Sequence, residues 1–176
     1  MNDVPKPPAI VLRGALLGAF AGAVSAGAYA AVAPLFIGAL LAFTSGATGG
    51  PLDPLIGAAV FAMCSGPFGF LLGILPGTLL GALAGLVIGS LLALLRDRVS
   101  PAGAAWIGLL VAGVIVVAAN LGLGPDMIEP QRPGFGRYLP YLFWIVGPSL
   151  LVLGGLPWVG WALRTELDLK LWRPRR

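Results

Sequence analysis

The stretch "GTLLGALAGLVIGSLLALLRDR", residues 77–98, decides the fold. It carries glycine at 77, 81, 85 and 89 and holds no charge before Arg96. Glycine weakens a helix interior by roughly 1 kcal/mol relative to alanine, so this spacing needs a compensating use. Four-residue steps put Gly77, Gly81, Gly85 and Gly89 on one helical face, each step advancing about 6 Å. In water such a face buries little, whereas in lipid it lets a second backbone approach closely.

Composition identifies the solvent. Of 176 residues, 58% are hydrophobic and 10% are charged, and the mean hydropathy is +0.95, far from the roughly one-quarter charged usage of soluble domains. The charges are also segregated, with none in 14–52, 54–95, 99–125 or 138–163. Each interval holds a span of about 20 residues. The expected fold is an all-α, polytopic helical bundle in the membrane, with four transmembrane helices, kinks and glycine-rich faces.

The N-terminal segment has the charges and apolar run of a signal peptide, with small-residue sites before Val32. Its apolar run continues without charge from Gly14 to Phe43, longer than a secretory h-region, so it reads as a retained first span. The expected organisation is a cytoplasmic tail (1–10), a membrane domain (11–163) and a basic amphipathic cytoplasmic tail (164–176). The spans are expected at about 11–33, 70–95, 102–122 and 139–162, with connecting or re-entrant helices on the outer side at about 35–43 and 55–66. Splitting the second segment at Pro76 gives five spans, and further breaks at Pro34 give six.

Basic residues orient the chain. Lys6 and Arg13, then Arg96 and Arg98, then Arg164 and the tail beyond it mark three cytoplasmic sites. Both termini are therefore expected inside, in the manner of a bacterial inner or plasma membrane protein. Pro34, Pro67, Pro76, Pro148 and Pro157 each remove a backbone donor and are expected to kink or begin a helix.

A second stripe, Gly14, Gly18, Gly22, Ala26 and Ala30, has the spacing of the first, and residues 14–27 align with 77–90. The expected seam joins spans one and two within one chain, the rival being a seam between subunits. The pattern resembles the broad class of glycine-zipper membrane proteins. That class includes structural subunits, channels and transporters, so the resemblance assigns no residue a role.

Chemistry is sparse. The chain has no histidine and one cysteine, Cys64, which removes the usual histidine base, cysteine-rich metal sites and an internal disulfide. Cys64 reads as a small apolar packing residue. No catalytic constellation, metal site, cofactor site or nucleic-acid motif is expected. Among the few polar residues of the spans, Asn120 is the candidate for contact with a polar solute, weighed against an interhelical hydrogen bond.

Trp158, Trp161 and Trp172, with Arg173, Arg175 and Arg176, form the expected interface anchor, aromatic rings in the headgroup region and guanidinium groups on anionic lipid. Tyr138, Tyr141 and Trp144 mark the opposite boundary. The expected function is a non-enzymatic accessory or structural subunit of a membrane assembly, with a membrane-protein partner or a homo-oligomer. The alternative is a facilitator or oligomeric channel for a neutral small solute.

Overall fold

A computed structural model describes residues 7–44, 53–95, 98–128 and 134–171. The protein is an all-α bundle of four long apolar helical rods. The first two are α1 (Pro7–Thr44) and α2 (Asp53–Leu94), and the third is α3 (Pro101–Leu123). The fourth rod is composite, with a short helix α4 (Leu139–Tyr141), a π-turn (Leu142–Val146) and α5 (Gly147–Leu171). Among the described residues, four stretches are long and apolar enough to cross a bilayer: Pro7–Phe36, Gly66–Leu94, Pro101–Leu123 and Leu139–Glu166.

Local sequence sets several of the ends. Ser100 caps α3, its hydroxyl accepting from the Gly103 N–H at 3.1 Å, and Pro101 follows where a missing donor costs nothing. At the other end the Gly124 N–H donates to the Asn120 carbonyl at 3.1 Å, and Pro125 opens a 3-10 turn over Pro125–Met127.

The helices α1 and α2 run through their prolines. Pro34 lies inside α1, and Pro67 and Pro76 lie inside α2, so both helices continue where the sequence marks breaks. The extensions at 35–43 and 55–66 belong to these same two helices. A membrane helix keeps a proline when a neighbour meets the freed carbonyl. Pro34 frees the Ala30 carbonyl, which packs against the backbone of α2 at Gly69, where an added Cβ would strike it.

The rods associate as two antiparallel pairs, α1 with α2 and α3 with α5, and α1 also lies along α5. Ile10, Ile88, Leu92, Ala104, Val159 and Leu163 are buried together near the end of the bundle where α1 begins and α5 ends. Large apolar side chains point outward, Leu16, Phe20, Leu79, Leu83, Leu110 and Val114 among them. No polar or charged residue is buried among the described residues. Large groups outside and small groups at the contacts match a bundle solvated by lipid.

Candidate functional site

The longest helix contact is built from glycine. Gly14 faces Gly85, Gly18 faces Gly81 and Gly22 faces Gly77, each step of four up α1 met by a step of four down α2. The row continues with Ala26 against Gly73 and Ala30 against Gly69. The contacts are reciprocal: a Cβ on Gly18 would strike the Gly81 carbonyl oxygen, and a Cβ on Gly81 would strike the Gly18 carbonyl oxygen. The same Cβ on Gly18 would lie 2.8 Å from the Gly85 Cα. Gly89 ends the row, 3.0 Å from the Val11 Cα by the same measure. Such backbone proximity suits Cα–H···O contacts, which recur where helices meet closely. The seam lies inside one chain.

The similarity between 14–27 and 77–90 has a structural consequence. Because α2 runs opposite to α1, Gly14 aligns with Gly77 in sequence but meets Gly85 in space. Two copies of one stripe, packed antiparallel, satisfy each other.

A second small-residue contact joins α3 to α5. Ala104 faces Gly160, Gly108 faces Leu156, and Ala104, Gly108 and Ala112 are all buried. A Cβ on Gly108 would lie 2.9 Å from the Pro157 Cα. Sequence reasoning missed this seam. The signal was present as three small residues four apart, but alanine carried two of the positions and the partner face contains leucine.

Two polar nodes tie the rods together at the loop end of the bundle, which holds residues 124–128 and 134–138. The first is Tyr29, whose hydroxyl donates to the Phe143 carbonyl at 2.5 Å. The Gly147 N–H donates to Leu142, five residues back, as a π-turn requires. The corresponding donor for Phe143 would be residue 148, which is proline and has none. Tyr29 therefore meets a carbonyl that Pro148 leaves unpaired. Gly147 makes room for it, since a Cβ there would lie 2.5 Å from the Tyr29 Cζ. The Tyr29 and Phe143 rings also meet, with centroids 5.6 Å apart.

The second node is Asn120. The Tyr141 hydroxyl donates to its Oδ1 at 2.5 Å, and its Nδ2 donates to the Val116 carbonyl at 2.8 Å. Both polar atoms of the carboxamide have partners within the protein, joining α3 to α4. Thr78 and Ser90 are likewise bonded, donating to the Ile74 carbonyl at 2.6 Å and the Leu86 carbonyl at 2.8 Å within α2.

Trp158 and Trp161 are exposed on α5 near its charged end, a few residues before Arg164. Trp172, Arg173, Arg175 and Arg176 lie outside the described residues, as does the glycine-rich segment 46–50. Cys64 is exposed and makes no disulfide. Among the described residues no group of three or more His, Cys, Asp or Glu side chains is arranged to hold a metal ion.

The arrangement therefore offers close backbone contact, capped carbonyls and an apolar exterior. Comparison with protein-family models, with curated proteins and with solved structures gives no match. What the site defines is a class, a small all-α protein with four membrane-spanning-type helices and no catalytic cluster among its described residues.

Proposed function

We propose that this chain is a non-enzymatic accessory or structural subunit of a membrane assembly, seated in a bacterial inner or plasma membrane with both termini cytoplasmic. The charge bias of the termini and of Arg96 and Arg98 supports the orientation. The anchor on the cytoplasmic side is Trp158, Trp161 and Trp172 with Arg173, Arg175 and Arg176, held by anionic headgroups.

One observation carries the assembly role. Gly154 is exposed on α5, and a Cβ built there meets nothing within 4 Å. One turn to either side stand Leu150 and Trp158, 65% and 46% exposed. The glycine thus makes an open notch between two large side chains. Notches of this kind admit another helix where lipid alone gains nothing from them. The seam glycines, by contrast, are already spent within the chain.

This difference supplies the test. Gly154→Leu adds a side chain into open space, so the isolated chain should keep its fold while the partner helix is excluded. Native gel electrophoresis of gently solubilised membranes should show the wild type in a larger complex of fixed composition and the variant released from it. Retention of the complex by a folded Gly154→Leu variant would remove the basis for this reading. Solute flux through proteoliposomes of the purified chain would move the assignment to a facilitator or channel.

A further inference from the structure

The hairpin of α1 and α2 is longer than the bundle that supports it. Twenty-three residues of α3 span about 35 Å at 1.5 Å per residue, close to the roughly 30 Å hydrocarbon core of a bilayer. The other pair is far longer, with α1 containing 38 residues and α2 containing 42. Tyr29 meets Phe143 one turn inside the start of the fourth rod, so Pro34 of α1 lies near the level where that rod begins. Residues 35–44 carry α1 about 15 Å further. Residues 53–65 of α2, which precede the contact of Gly66 with Ala31, carry that helix about 20 Å beyond it.

This distal arm has the composition of a membrane segment. No charge occurs in 14–52 or 54–95, so the arm has none apart from Asp53 at the start of α2. Its described side chains face outward and are apolar: Phe36 is 72% exposed and Met63 79%, with Ile56, Val60 and Phe68 beside them. Among the described residues that apolar surface continues into the outward face of α2 at Leu71, Leu72 and Leu75. The charged residues Asp126 and Arg137 meanwhile stand on the segments joining α3 to the fourth rod. A straight arm would carry its apolar face beyond the level of those charges.

Both helices have the means to bend there. Pro34 and Pro67 interrupt the backbone hydrogen bonding of the two helices at nearly the same level, Gly66 meeting Ala31 and Gly69 meeting Ala30 across the seam. Paired prolines at one level of two adjacent helices form a hinge across the hairpin. The arm beyond it is about as long as one leaflet is thick.

We infer that the distal arm of the α1–α2 hairpin turns at Pro34 and Pro67 and lies within the leaflet at the loop end, its apolar face covered by lipid acyl chains. The inference concerns the isolated chain and stands or falls independently of any partner subunit.

The probe is an outward residue far along the arm. A nitroxide attached at Ile56→Cys in a purified full-length Cys64→Ser chain, reconstituted in phosphatidylcholine–phosphatidylglycerol vesicles, reports collisions with oxygen and with a water-soluble nickel chelate. The expected result is strong oxygen and weak nickel relaxation, matching a label at Leu79→Cys in a Cys64→Ser chain. Nickel relaxation as strong as at Gly134→Cys would put the arm in water. Weak relaxation by both reagents would put protein over it. Either outcome overturns the inference, and Val60→Cys in the Cys64→Ser chain repeats the reading at a neighbouring site of the arm.

Discussion

Adding one methyl group at Gly18 is the most demanding perturbation of the fold. The new Cβ would lie 2.8 Å from the Gly85 Cα and would press on the Gly81 carbonyl. Carbon atoms rest about 3.5–4.0 Å apart, so α1 and α2 must separate locally by roughly 0.7–1.2 Å to accept it. Both obstacles are backbone atoms, so no rotamer change relieves them. Because the helices are stiff, the flanking pairs Gly14–Gly85 and Gly22–Gly77 open as well, and a gap of about 1 Å forfeits up to half of each contact's attraction.

Overpacking of this kind costs about 1–3 kcal/mol, while alanine returns up to roughly 1 kcal/mol of helix propensity. Gly113→Ala removes the propensity effect from the comparison, since a Cβ at Gly113 meets nothing within 4 Å. Gly18→Ala is therefore expected to be less stable than Gly113→Ala by about 1–3 kcal/mol. The assay is titration of detergent-solubilised protein with dodecyl sulfate, followed by the fluorescence of its five tryptophans. Equal stability of the two variants would refute the seam as the source of helix association.

Three further outcomes follow from the same geometry. Tyr29→Phe leaves the Phe143 carbonyl without its donor and should cost about 1–2 kcal/mol in the same titration. Gly147→Ala should destabilise more, because its Cβ meets the Tyr29 ring, and Tyr29→Ala should relieve that cost in the double variant rather than add to it; additive effects would contradict the contact. Tyr141→Phe and Asn120→Leu should each weaken the bundle, with a coupling of about 0.6–1.7 kcal/mol in a double-mutant cycle, and zero coupling would deny the hydrogen bond between them.

The sequence exposed the helical class because charge and apolarity separate cleanly along it. Charge-free intervals of the right length made four rods readable, and the spacing of Gly77, Gly81, Gly85 and Gly89 marked a contact face. The pairing of residues across that face was harder to read, since the alignment of the two stripes runs parallel whereas the helices run antiparallel. Ala104, Gly108 and Ala112 escaped notice because alanine in an alanine-rich chain is a weak signal.

Tyr29 escaped for a different reason. Its role depends on a carbonyl at Phe143 that becomes unpaired only through the combination of a π-turn and Pro148, and on the missing side chain of Gly147. None of these is local to Tyr29 in the sequence. The prolines likewise marked where backbone bonds are lost, but whether a helix stops or continues there depends on its packing against the neighbouring helix, as at Ala30 and Gly69.

The antiparallel seam within one chain is tested most directly by cross-linking in intact membranes. A Cβ on Gly73 lies 2.9 Å from the Ala30 Cβ, so a small local adjustment brings cysteines at these positions into the roughly 3.5–4.5 Å range of a disulfide. In a Cys64→Ser background, Ala30→Cys with Gly73→Cys should form a disulfide that leaves the protein at its monomer mass of 18.0 kDa and consumes both thiols. Cross-linking at twice that mass, with no internal disulfide, would place the seam between subunits and contradict the account.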